Sequence, residues 1–170
     1  LLKTLYDELK IDESHLTKNK LIRCVQPPLH DLEIVEIDYE GKPFILNRNA
    51  AGAWTQMCTA AQSDKVSIHP YSGFRSYRYQ AGLIRRKLSN GKSIDVILTE
   101  TAIPGFSEHH TGRAVDICID GKFELTEDFE KTESVFWLLK NAYRFGFTLS
   151  YPRNNEKGII YEPWHWYFSK

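Results

Sequence analysis

The run Ala114-Val-Asp-Ile-Cys-Ile119 places the strongest condition on how this chain can fold. Its apolar residues read as a short strand, and Asp116 stands in the middle of them. An ionised carboxylate removed from water is costly unless a cation or a set of hydrogen bonds meets it, so the fold must bring such a partner to Asp116. Candidates lie just upstream. Ser107-Glu-His-His-Thr-Gly-Arg-Ala-Val-Asp116 follows a Pro-Gly turn and puts His109 and His110 within seven residues of the aspartate. A second cluster, Glu162-Pro-Trp-His165, lies close to the C-terminus.

Two neutral imidazoles and one carboxylate are the ligand types of a catalytic zinc site, which keeps its fourth position open. Such a set leaves a net positive charge of about one on the site, enough to draw the pKa of a bound water towards roughly 7. Hydrolysis then needs a carboxylate that takes the water's proton without binding the metal. Glu162, three residues from His165, can point to the same side. His15, His30, His69 and His110 are read as ordinary surface or core residues. Gly73 and Gly112 are read as turn glycines.

The rest of the chain alternates helical and extended patterns. Leu2, Leu5, Tyr6 and Leu9 predict an amphipathic helix over 1–10, and residues 32–38 and 44–46 predict a hairpin around a turn at 39–42. Asn49 is placed to cap a helix over 50–61. Residues 66–68 read as a strand leading to Ser72-Gly-Phe-Arg-Ser76. Tyr77 to Leu88 then reads as a helix ended by Asn90-Gly91, which leaves Arg75 at a strand-to-helix junction. Residues 94–101 fit either state. A helix over 129–145 ended by Gly146 and strands over 147–151 and 164–168 complete the pattern. The expected class is α+β, with a central, mainly antiparallel sheet flanked by helices.

With 170 residues, one domain is expected, with 1–65 as a structural part and the candidate motifs in 66–168. Lys plus Arg and Asp plus Glu are both 22, which argues against nucleic acid or an anionic membrane as the main partner. No apolar run approaches the roughly 18 residues of a membrane span. A monomer is expected. Cys24, Cys58 and Cys118 share no CxxC spacing, so a disulfide framework is excluded and small buried side chains are expected, one bridge remaining open.

Taken together, Ser107-x-His109-x-x-Gly112-x-Ala114-x-Asp116, Ser72-Gly-Phe-Arg75-Ser-Tyr-x-x-Gln80 and Glu162-Pro-Trp-His165 resemble the zinc D-alanyl-D-alanine carboxypeptidases of the VanY type, including their dipeptidase and L,D-carboxypeptidase relatives. The resemblance implies a fold shared with the Hedgehog signalling domain. It implies one zinc ion held by His109, Asp116 and His165, Glu162 as general base, and Arg75 on the substrate's terminal carboxylate, with Ser107 and Gln80 lining the same cleft. A planar guanidinium pairs with a carboxylate through two parallel bonds, which suits selection of a free C-terminus. The implied activity removes a C-terminal D-amino acid from a peptidoglycan stem peptide or muropeptide. The implied setting is the cell envelope, with the cytoplasm as the alternative. An endopeptidase with the same centre and a non-catalytic zinc-containing binding module are the competing readings. The chain departs from the family pattern at Ser150, where an arginine commonly precedes the Tyr-Pro, and at Trp166-Tyr-Phe168, where a basic residue is common. These positions bear on the substrate pocket, so D,D- and L,D-specificity both stay open.

Overall fold

The computed structural model describes residues 1–18, 20, 22–37, 41–118 and 125–170. Asp38, the first half of the expected hairpin turn (39–40) and Ile119 lie outside the described residues. The centre of the fold is a four-stranded, wholly antiparallel sheet in the order β3-β4-β6-β5, formed by β3 (His69–Ser72), β4 (Ala114–Cys118), β5 (Phe147–Leu149) and β6 (His165–Phe168). A separate antiparallel hairpin pairs β1 (Leu32–Ile37) with β2 (Pro43–Asn47). The expected α+β class with an antiparallel sheet is what the chain adopts.

Strand alternation sorts the central sheet into a core face and a site face. Val115, Ile117, Trp166 and Phe168 project to the core face, where they pack with Phe147 and with Ala50, Trp54 and Met57 of helix α3 (Arg48–Ser63). Val135 and Leu138 of α6 (Glu133–Asn141) close the same core. On the other face, Asp116 is in register with Ser72 of β3 and His165 of β6. Every residue of β4 is buried, so the cost of Asp116 has to be met by its immediate neighbours.

A second apolar cluster lies behind the site. Leu5 and Leu9 of α1 (Leu2–Leu9) pack on Ala81 and Ile84 of α4 (Tyr77–Ser89) and Ile97 of α5 (Ile94–Glu100). A short helix, α2 (Glu13–Thr17), follows α1 and is capped by Asp12. All three cysteines are free thiols; Cys24 and Cys118 are buried and Cys58 half-buried.

Four sequence expectations need correction. The strand after α3 is His69–Ser72 rather than 66–68. Pro70 lies inside it and is tolerated because β3 is an edge of the sheet. Asn47, not Asn49, caps α3, its side chain accepting from the Asn49 amide. The long helix over 129–145 is broken into a 3-10 turn at Glu127–Lys131, then α6, then a 3-10 turn at Ala142–Phe145. Thr132 causes the first break by capping α6, its side chain accepting from the Val135 amide. The fourth concerns Gly73, which is not a turn glycine. A Cβ there would collide with the Ile45 carbonyl oxygen and press on the Phe44 ring, so its role is close approach of the loop to β2. Gly112 is a turn glycine as expected, at φ +68°.

Candidate active site

The site is assembled from three stretches of backbone, two paired strands of the central sheet and the turn that leads into one of them. Asp116 comes from the middle of β4, and His165 opens β6 directly opposite it. His109 belongs to a 3-10 turn, Glu108–Thr111, that leads into β4 and ends at the left-handed Gly112. One ligand atom from each of His109, Asp116 and His165 lies within 4.8 Å of the other two, and all three side chains are buried.

The hydrogen bonds decide which nitrogen each imidazole turns inward. The His109 Nδ1 is 2.7 Å from the Gly73 carbonyl oxygen, which can only accept, so Nδ1 carries the proton and Nε2 faces Asp116 Oδ2 at 3.1 Å. His165 is reversed: its Nε2 is 3.0 Å from Glu108 Oε2, and its Nδ1 is 2.9 Å from Asp116 Oδ1. The two rings meet edge to face with centroids 4.9 Å apart. Two inward nitrogens around one carboxylate, with both outward nitrogens already engaged, suit a divalent cation with N and O ligands.

The Arg75 guanidinium and the two histidines offset the buried charge of Asp116. Burial works against a charged carboxylate at Asp116, but its neighbours His109 and Arg75 and the hydrogen bond from His165 keep its pKa well below the usual range. Burial lowers His109 to about 4, helped by the Arg75 charge. His165 goes the other way. Burial disfavours its imidazolium, yet hydrogen bonds to Asp116 and Glu108 raise it to about 10.

Glu162 stands at the edge of the cluster, with Oε2 3.9 Å from His165 Nδ1. Burial raises its pKa to about 7, against the lowering charge of His165 and with support from Asp116. The chain holds it in place through its own amide, which donates to the Tyr151 carbonyl at 3.1 Å, and through its carbonyl, which accepts from the His165 amide at 3.2 Å.

Arg75 reaches the cluster from the loop between β3 and α4. Its Nη2 donates to Asp116 Oδ2 and its Nε donates to Ser72 Oγ at 2.8 Å. Two bonds fix the guanidinium plane and use two of its five N–H donors. Its backbone is laced to the histidine turn: the Arg75 amide donates to the His109 carbonyl at 3.1 Å, and the His110 Nδ1 lies 2.6 Å from the Arg75 carbonyl oxygen. His110 is fully buried and stacks edge-on against Tyr77 at 4.6 Å.

A cleft of about 870 Å³ opens over the cluster and is lined by Arg75, Gln80, Ser107, Glu162 and Trp164 among others. Gln80 is 1% exposed and donates through Nε2 to the Ala102 carbonyl at 2.9 Å; its Oε1 has no partner among the described residues. Ser107 is buried at the start of the histidine turn, where its carbonyl accepts from the His110 amide at 3.0 Å. All seven residues named from the sequence therefore meet around one cleft. Two that the sequence did not single out, Glu108 and His110, make the bonds that orient His165 and Arg75. Their adjacency to His109 was visible, but their partners lie elsewhere in the chain.

These features define a class: an antiparallel sheet that gathers two histidines and an aspartate into one potential metal centre at the floor of a cleft. Residues 44–170 match the family described as VanY, D-alanyl-D-alanine carboxypeptidase, a match that begins upstream of the first motif seen in the sequence. The chain belongs to this family. The putative carboxypeptidase YodJ of Bacillus subtilis (strain 168) is 35% identical over 142 residues, covering 79% of this chain and 52% of its own length. The chain thus spans about half of that relative. The structure of the LdcB LD-carboxypeptidase, described in terms of peptidoglycan recognition, superposes with a TM-score of 0.73 at 33% identity, covering 84% of this chain and 69% of that one. A vancomycin-resistance D,D-pentapeptidase VanY, solved in complex with Zn(II), gives a TM-score of 0.65 at 28% identity and 86% coverage of both chains.

Proposed function

We propose that this chain is a zinc-dependent carboxypeptidase that removes a C-terminal D-amino acid, D-Ala in the first instance, from peptidoglycan stem peptides. One observation carries the reading: Glu162, a carboxylate kept out of the His109–Asp116–His165 cluster, stands beside it in the cleft that Arg75 also enters. Zinc fits the residues present, since His109 Nε2, His165 Nδ1 and the Asp116 carboxylate converge with their outward partners in place. The bound cation supplies Lewis-acid polarisation of the scissile carbonyl and a lowered pKa for a water in the site.

The remaining work belongs to the chain. Glu162, whose pKa burial pushes up to about 7, takes the proton from the attacking water and delivers it to the leaving amine. Arg75, its plane fixed by Ser72 and Asp116, uses its remaining donors to hold the terminal carboxylate and so sets the last peptide bond over the cluster. Ser107 and Gln80 line the wall against which the substrate lies. No helix among the described residues is long and apolar enough to cross a membrane. A peptidoglycan substrate favours the cell envelope as the setting, with the cytoplasm as the alternative.

Incubating the zinc-loaded protein with stem tri-, tetra- and pentapeptides and weighing the products tests the proposal. Loss of a single C-terminal residue is expected. An internal cut would turn the assignment to an endopeptidase, and an inert, zinc-bound protein would turn it to a binding module. The metal is tested separately. His109→Ala and His165→Ala should each abolish stoichiometric zinc in an atomic-absorption assay. The rise in melting temperature that zinc gives the native protein should vanish with it, because metal binding is coupled to the fold.

A further inference from the structure

Glu108 precedes the candidate ligand His109, yet its side chain turns away from that neighbour and runs to His165, 57 positions along the chain. Its Oε2 is 3.0 Å from His165 Nε2, and its Oε1 accepts from Lys157 Nζ at 2.6 Å. The side chain is only 14% exposed, and it lines a small, largely apolar pocket together with Cys24, Phe106, Tyr151 and Ile159. A carboxylate in that position is costly unless its bonds are used, and both of its oxygens are engaged.

An imidazole can offer a lone pair from one nitrogen only if its proton is held on the other. His109 meets that condition through a backbone carbonyl, which no substitution of a side chain removes. His165 meets it through Glu108 alone among the described bonds to its Nε2. A carboxylate there also raises the basicity of the ring and fixes its rotation, which a neutral carbonyl does less strongly. Lys157 anchors the far oxygen and lies over the Tyr151 ring at 5.2 Å, while the Tyr151 ring packs on His165 with centroids 4.6 Å apart. Carboxylate, lysine and tyrosine thus brace one ring.

We propose that Glu108 is a positioning residue for the metal centre: it holds His165 in the Nε2–H form, aims Nδ1 at the cation and strengthens that one ligand. The inference rests on the zinc reading of His109, Asp116 and His165.

The test measures zinc dissociation constants by chelator competition for the native protein, Glu108→Gln and Glu108→Ala, alongside the melting temperature of each without metal. Glu108→Gln keeps the shape and an acceptor oxygen but loses the charge, and a roughly 3- to 10-fold weaker affinity is expected. Glu108→Ala loses both, and a weakening of about 10- to 100-fold is expected. Long-range proton–nitrogen correlation spectra should show the His165 proton on Nε2 in the zinc-loaded native protein, with that signal shifted in both variants. A purely structural Glu108 would lower the metal-free melting temperature and leave zinc affinity unchanged, which overturns the proposal. Should Glu108→Ala fail to fold, Glu108→Gln alone decides, unchanged zinc affinity again overturning it. A native protein that binds no zinc would instead overturn the reading beneath it.

Discussion

Glu162→Gln is expected to lower turnover of a susceptible stem peptide by about 10³- to 10⁴-fold while one zinc per chain is retained. Gln keeps the volume and the hydrogen-bonding reach of the side chain but cannot accept the water's proton. Atomic absorption and product mass on the same preparation separate the two effects, and retained activity would remove Glu162 from the mechanism. The pH profile follows from the same residue. Burial raises its pKa to about 7, so kcat/KM should fall as pH drops and the carboxylate protonates. A cation beside it favours the charged form, so the acid limb of the loaded enzyme should have its midpoint no higher than about 7.

The substitution should also act on stability, with a definite sign. A carboxyl whose folded pKa is about 7 against an ordinary 4.5 disfavours folding wherever it is ionised. The penalty is absent below about pH 4.5, grows through the interval and is complete above about pH 7. Metal-free Glu162→Gln should therefore be more stable than the native protein at pH 8, by up to about 3 kcal/mol, and the advantage should close at pH 4.5. Denaturant titrations of both proteins at the two pH values measure the difference.

Arg75→Met should lower kcat/KM on a free-acid peptide by about 10²- to 10³-fold, the cost of leaving a carboxylate without its buried partner. The same substitution should have little effect on a C-terminally amidated peptide, for which the native enzyme already lacks the pairing. The native preference for the free acid should thus collapse in the variant. Arg75 also donates to Asp116, so zinc content has to be measured in parallel. An equal loss on acid and amide, or a loss of zinc, would make Arg75 a brace for Asp116 and not a substrate anchor.

The residues that meet at the candidate site were more legible than the paths that bring them together. Asp116 announced itself because a carboxylate inside an apolar strand needs a partner, and His109 and Glu162 stood close in sequence to Asp116 and His165 respectively. Local spacing carries such information. Register does not: that Asp116 lies opposite both Ser72 and His165 follows from pairing between strands far apart in the chain. Strand β3 was placed too early, at 66–68, since Pro70 argues against a strand until the segment is known to be an edge. Helix α6 was read as too long because Tyr143 continued the apolar pattern of Phe136 and Leu139 beyond its end, yet all three are exposed. Glu108 and His110 were passed over because each acts on a residue that only the fold brings near, His165 in one case and Arg75 in the other.

The most direct measurement is zinc-edge anomalous diffraction from crystals of the zinc-loaded protein. A single peak is expected among His109 Nε2, His165 Nδ1 and the Asp116 carboxylate, at about 2.0–2.2 Å from each, with Glu162 beside it but outside the ligand set. A peak elsewhere, or Glu162 bound directly to the metal, would contradict the assignment of a hydrolytic centre to these four residues.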